Sequence, residues 1–488
     1  MKKGIILAAF SSFLLLAVLI PVPPSKAADT EQTAASYVVI VSQKTHADAA
    51  WRKVVDALVA KHKAQVITFD KDVTEALPKL KQIFPKYACF VAKPTEATKG
   101  FVANVSTMTR QLDDDPYTDV IWGVLTGYDA DNALRIASEK KPLTVRRVAS
   151  GTEIALDHCN EGVWYSELKA GQVVRKTADG KTISEKGPTD TTKLLADELT
   201  QHKADLFVTS GHASERNWQI GYSYKNGYFK SKAGMLYGSD TTGKQFPIQS
   251  DQPRVYLPIG NCLMGHIDGP DAMALAFMNS VGVRQMIGYT VLTWYGYAGW
   301  GNLDYFIEQP GRYSFAEAFI ANQHALIHRL ETYYPEGTRM KVEPGSKPPT
   351  PKQLSAKAKA AGVKPQDVVG LVHDRDVVAL YGDPAWEARM APGECAWEQK
   401  LTEKDGRYTL EIIPKRGAKT FTPINTNGSQ RGYRPIVAFL PQRVKDIEIL
   451  EGKELDAVVT HSFVLVPNPK VSDGKTLKVV FRGAKVKS

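Results

Sequence analysis

Val255-Tyr-Leu-Pro-Ile-Gly-Asn-Cys-Leu-Met-Gly-His266 is an apolar run that stops at a glycine and then presents Asn261 and Cys262. Upstream, Leu206-Phe-Val-Thr-Ser-Gly-His-Ala-Ser-Glu215 repeats the pattern and ends at Ser210, Gly211 and His212. Short continuous apolar runs closed by turn residues are the signature of parallel strands buried on both faces. Each run carries a reactive type of side chain just past its carboxyl end, the rim where ligands bind in open α/β sheets. A free thiol has a pKa of about 8.5 and needs a base or cation beside it to act as a nucleophile. Cys262 therefore reads as a nucleophile and His212 as its proton-transfer partner, brought together by neighbouring strands.

Outward from this pair the chain alternates. Strands are expected at Tyr37–Val41, Gln65–Phe69, Tyr87–Val91, Val120–Leu125 and Val283–Tyr289, with helices near 48–63, 73–84, 129–140, 191–202 and 271–279. Such alternation predicts a doubly wound, mainly parallel α/β sheet. Ala170–Thr192, with Gly171, Gly180 and Gly187, reads as a surface hairpin or loop. After the strand at 283–289 comes an aromatic loop, Thr293-Trp-Tyr-Gly-Tyr-Ala-Gly-Trp300, suited either to wall a side-chain pocket or to pack under the sheet. Residues 335–366 turn Lys- and Pro-rich, as expected of an exposed insertion before a final strand. Beyond Trp386 helical periodicity gives way to strands at 408–413, 436–440, 457–465 and 476–481, the pattern of a small β-sandwich.

The amino terminus reads as an export signal: Lys2 and Lys3, an apolar run from Gly4 to Ile20, and a Pro-rich exit ending at Ala27. The competing interpretation is a retained membrane anchor. The 488 residues carry a formal charge of +10, and loss of Lys2, Lys3 and Lys26 with the signal leaves +7. The basic residues are spread along the chain, which argues against nucleic-acid binding. Four cysteines, Cys89, Cys159, Cys262 and Cys395, are too few for a disulfide-built scaffold.

Other constellations are weaker. Asp113, Asp114, Asp115 and Asp119 crowd a short turn, read as a solvated acidic turn, with calcium the ion it would take if it holds one. His158 and Cys159 are adjacent, but neighbours on an extended segment point to opposite faces. Cys262, His266 and Asp268, with His212 nearby, offer zinc donors, yet no second Cys or His pair completes the set. His461, inside an expected strand with no His or Cys close in sequence, reads as structural.

The His-before-Cys order and the separation of fifty residues agree with the caspase arrangement, although the caspase sequence around the cysteine is absent. Three segments resemble the gingipain family of exported cysteine peptidases. Ser210-Gly-His-Ala-Ser-Glu-Arg-Asn-Trp218 is similar to that family's His-Gly-Ser…Trp segment, and Gly260-Asn-Cys-Leu-Met-Gly265 to its catalytic-cysteine segment. Val378-Ala-Leu-Tyr-Gly-Asp-Pro-Ala385 looks like its Tyr/Phe-Gly-Asp-Pro segment. The likeness implies a caspase-like catalytic unit followed by a β-sandwich, with Cys262 as nucleophile and His212 as general acid/base. It also implies backbone oxyanion donors at Ala213 and Cys262, and a pocket tryptophan at Trp294 or Trp300. The chain departs from the family pattern at Ala213, where relatives carry Gly after the histidine, and at Val124, where they carry Arg. An alanine keeps the amide but resists positive φ.

The expected organisation is a signal at 1–27, a caspase-like α/β domain at 28–392 with two subdomains possible, and an Ig-like β-sandwich at 393–488. The expected activity is that of an exported cysteine endopeptidase acting on peptide or protein substrates, with no required cofactor and no membrane contact after signal removal. The alternative is a catalytically impaired gingipain-like binding protein of the cell envelope.

Overall fold

Twelve strands form one mixed sheet in the computed structural model, which describes residues 36–486. Across the sheet the order is Gln65–Phe69, Tyr37–Ser42, Tyr87–Val91, Ile121–Leu125, Val378–Tyr381, Val283–Tyr289, Arg254–Pro258, Leu206–Thr209, Arg147–Ser150, Glu161–Tyr165, Gln172–Lys176 and Thr182–Lys186. The expected strands at 65–69, 87–91 and 283–289 occur at those residues. Eight of the pairings are parallel, from the outer pair of Gln65–Phe69 with Tyr37–Ser42 to that of Arg147–Ser150 with Glu161–Tyr165. Val378–Tyr381 runs antiparallel to Val283–Tyr289 and parallel to Ile121–Leu125, so it closes the middle of the sheet. The 172–176/182–186 hairpin extends one edge, in the span read as a surface hairpin or loop.

The strands that carry the candidate pair are adjacent and in register. Leu206 faces Val255 and Thr209 faces Pro258, so both strands stop at the same rim. Every residue of the two strands is buried, which explains their unbroken apolar character: a parallel strand covered on both faces has no solvent side to alternate with.

Two parts of the chain differ from expectation. Between the two strands lies a four-stranded antiparallel sheet, Asn217–Gln219, Tyr228–Lys232, Met235–Ser239 and Gln245–Ile248. Its strands are only three to five residues long, so no long periodic run marks them. The aromatic segment is only partly a loop: Tyr297–Phe306 is a helix that starts after Gly296 at φ +86° and is buried along its whole length. A helix buried on every side has no polar stripe to betray its period.

From Trp397 onward, a four-stranded and a three-stranded antiparallel sheet pack around a core of their own that includes Tyr408, Leu410, Ile436, Val464 and Phe481. Along the three-stranded sheet the alternate residues Val437, Phe463 and Leu465 belong instead to the core of the α/β unit. Tyr305 and Tyr313 donate hydroxyl hydrogen bonds of 2.7 and 2.6 Å to the carbonyls of Pro435 and Val437. The His324 ring stacks on Phe463 with centroids 4.0 Å apart. The sandwich is thus welded to the α/β unit through a sheet buried on both faces.

No helix among the described residues is long and apolar enough to cross a membrane. The expected signal at 1–27 lies outside the described residues.

Candidate active site

The cysteine loop is held from three sides. Asn261, fully buried, donates from Nδ2 to the Gly211 carbonyl at 2.9 Å and accepts at Oδ1 from the Thr209 hydroxyl at 2.6 Å. One side chain thereby ties the cysteine loop to the histidine loop. Gly265 donates its amide to Tyr289 and accepts from the Tyr381 hydroxyl at 2.6 Å. A Cβ on Gly265 would stand 2.5 Å from the Gly288 carbonyl oxygen, so only glycine lets this turn lie flat against the neighbouring strand. That contact gives a physical reason for the glycine three residues after the cysteine.

Cys262 is partly exposed, and its sulfur lies against the Thr293 peptide. The Thr293 amide is 3.3 Å from Sγ and its carbonyl oxygen 3.5 Å. Leu263, the next residue, has φ +59°, a left-handed conformation that bends the chain sharply behind the thiol. Burial pushes the Cys159 thiol up to about 12 and pushes Cys89 and Cys395 up as well. All four cysteines are free.

The histidine loop is looser. Gly211 has φ +85° and turns the chain, after which His212 is exposed. Its ring stacks on Tyr222, with centroids 4.8 Å apart and planes inclined by 26°. No hydrogen bond joins the ring to the Cys262 sulfur. Beneath the loop sits Glu167, buried, accepting from the Ser210 and Thr152 hydroxyls. Burial raises its carboxyl above the ordinary range while those two hydroxyls oppose the shift. Its carbonyl also accepts from the Tyr222 and Ser223 amides, so Glu167 holds both the histidine loop and the aromatic ring beside it. No motif marks Glu167 in the sequence, since its partners come from three separate segments.

The two amides expected to face an oxyanion can be located by their neighbours. Ala213 pairs with Trp218 in an isolated antiparallel bridge, flanked by bonds from Gln219 to His212 and from Ser214 to Asn217. In that pattern the Ala213 amide lies outside the ladder. Among the described residues, neither it nor the Cys262 amide donates to another protein group. Ala213 is absent from the positive-φ residues, so the alanine sits here without the strain that a left-handed position would impose.

Among solved structures, the chain matches the Arg-specific cysteine proteinase gingipain R (RgpB) at 12% identity and a TM-score of 0.43, over 93% of this chain and 99% of that one. It also matches a complex of Porphyromonas gingivalis RgpB pro- and mature domains at 11% identity and a TM-score of 0.39, over 92% and 99%. The chain is similar in fold to the gingipains. No protein-family model matches it, and no curated protein does so at a significant level.

The remaining expected site residues fall in different places. Trp294 is 43% exposed beside Thr293. Trp300 is 6% exposed, and Gly260 and Gly428 both press so close to its indole that neither has room for a Cβ. It packs against the cysteine loop at Gly260, with little surface left to meet a substrate. Val124 is fully buried in its strand.

The zinc alternative fails on geometry. Cys262 to His266 is a turn, not a helical face, and Asp268 is held by both terminal nitrogens of Arg216 at 2.7 and 2.9 Å. The acidic turn is not a four-carboxylate calcium cage either. Asp113 and Asp115 accept the amides two residues ahead at 2.9 and 2.8 Å, and Asp114 is absent from the cluster. Asp119 is buried and accepts the Leu112 amide at 2.9 Å. His461 lies in the turn between two strands, not within one, and meets this cluster across the chain.

Proposed function

We propose that the protein is an exported cysteine endopeptidase in which Cys262 and His212 form a catalytic dyad. The observation that carries this reading is the Asn261 clamp on two in-register strands, which binds the loops of both residues to one rim. The gingipain-like fold and the two undonated amides at Ala213 and Cys262 support it.

In the proposed reaction Cys262 Sγ attacks the carbonyl carbon of a peptide bond while His212 takes the thiol proton. The amides of Ala213 and Cys262 bind the resulting oxyanion, a contribution of ~3 kcal/mol for each such donor. The C–N bond then breaks, with the leaving amine taking its proton from the His212 imidazolium. Water then attacks the thioester carbonyl as His212 takes its proton, the C–S bond breaks to release the free acid, and the proton passes from His212 to the Cys262 sulfur. His212 must swing from its stack on Tyr222 toward the sulfur for this to happen. An exposed side chain changes rotamer in picoseconds to nanoseconds, and catalytic hydrogen bonds commonly tighten only with substrate.

The stack on Tyr222 favours a second reading, a protein that binds peptides on this rim without cleaving them. Alkylation by iodoacetamide, together with hydrolysis of a mixed peptide library, separates the two. Cleavage lost in Cys262→Ala, with Cys262 labelling that slows in His212→Ala, supports the peptidase. No cleavage, and labelling indifferent to His212, supports the binding protein.

A further inference from the structure

The acidic turn and the β-sandwich bring together groups that the proposed reaction does not use. Asp113, Asp115 and His461 each present a ligand-capable atom, and the three atoms lie within 4.8 Å of one another. His461 Nδ1 is 2.8 Å from Asp113 Oδ2. On the other side of the ring, Nε2 has no hydrogen-bond partner, and 3.7 Å from it stands Asp119 Oδ1, also without one. The Asp119 side chain is fully buried. An unpaired carboxylate oxygen in that position is costly unless something completes it.

We propose that Asp113, Asp115 and His461 bind a divalent first-row transition ion of the Zn2+ class, with Asp119 as the positioning residue behind the histidine. The arrangement accounts for both orphan atoms at once. With Nδ1 on the metal, Nε2 would carry the proton and, on closing the 3.7 Å gap, donate to Asp119 Oδ1, the carboxylate–histidine–metal relay that usually orients a metal-bound imidazole. One nitrogen and two carboxylates suit a transition ion better than calcium, which prefers six to eight oxygens. Asp113 and His461 keep partial exposure, with side chains 31% and 12% accessible, so an ion and its waters can enter from solvent.

The ligands come from opposite ends of the chain. Asp113 and Asp115 follow the helix Lys99–Met108, and His461 lies in the turn that precedes the sandwich strand Phe463–Val466. A bound ion would therefore pin the sandwich to the α/β unit beside the Arg443 side chain, which donates to the carbonyls of Pro85 and Asp119. The site is independent of the peptidase reading and survives its failure.

The test uses the whole chain, stripped with a chelator and titrated with Zn2+ by calorimetry, and with Co2+ by its visible absorption. The expected result is one ion per chain, a rise in melting temperature on loading, and a Co2+ spectrum with nitrogen and oxygen ligation. Asp115→Asn, which can still accept the Tyr117 amide, and His461→Gln should each abolish stoichiometric binding. Asp119→Asn should weaken it by about 10- to 100-fold, and Asp114→Asn should bind as the parent does. Absence of stoichiometric binding to the parent chain overturns the proposal. So does binding unchanged in both Asp115→Asn and His461→Gln, or a site that takes Ca2+ in preference to Zn2+.

Discussion

The two loops of the candidate active site are built on opposite terms. Around Cys262, Asn261 is buried and doubly bonded, the sulfur rests on the Thr293 peptide, and Gly265 is pressed against Gly288. Around His212, Asn261 holds the Gly211 carbonyl and Glu167 the Ser210 hydroxyl, while the imidazole itself is exposed and leans on Tyr222. The contrast teaches a division of labour: a nucleophile has to be aimed, whereas a group that takes a proton from one partner and gives it to another gains from a side chain free to move.

The sharpest way to break this comparison is Cys262→Ala. Hydrolysis should fall by ~10⁴-fold or more, the scale reported when a nucleophile acting as one unit with its base is lost, while the melting curve stays put. Equal activity in the variant would remove the rigid loop's role altogether. Asn261→Ala comes next, because it leaves the Gly211 carbonyl without its side-chain donor and the Thr209 hydroxyl with Tyr256 alone. Denaturant titration should show a loss of about 2–4 kcal/mol, and the turnover number should drop roughly 100-fold from misplacement of the two loops.

Acid offers a third handle, acting on the support of the cysteine side. The strand whose Tyr381 holds Gly265 runs on to Asp383, which binds Tyr37, Lys61 and His62. Burial would push the Asp383 carboxyl up, but the hydrogen bond from His62 and the Lys61 charge outweigh it and hold the group at about 2. A carboxyl lowered in the folded state lends its full stabilisation above the unfolded value near 4 and loses it as pH falls toward 2. The melting temperature should therefore drop across that window by an amount worth about 2 kcal/mol, and Asp383→Asn should flatten the slope. The smallest effect belongs to Tyr222→Ala. Releasing the imidazole from its stack, worth about 0.5–1.5 kcal/mol, should raise turnover by no more than ~10-fold, with stability unchanged. A large fall in activity would show that the aromatic ring aims the histidine and does not merely park it.

The central sheet was legible because its strands are buried on both faces and read as unbroken apolar runs, such as Leu206–Thr209 and Val255–Leu257. Their common rim followed from the order of strands and turns. The helix Tyr297–Phe306 escaped because every one of its residues is buried, which erases amphipathic period. Of the two roles open to Trp300, its 6% exposure favours packing. Glu167 was invisible for another reason: a buried carboxylate is recognisable by its donors, and Thr152, Ser210 and Tyr222 are brought to it only by the fold. The same holds for His461, whose acidic neighbours lie more than three hundred residues away. Pattern in a sequence reports local period well and long-range company hardly at all.

The three-stranded sheet that gives Val437, Phe463 and Leu465 to one core and Ile436, Val464 and Val466 to another leaves the polypeptide without a seam. Severing it before Trp397 would not release a tidy module. It would bare the flank of the long helix Phe315–Tyr333 where His324 lies against Phe463, and such a fragment should clump rather than stay dispersed.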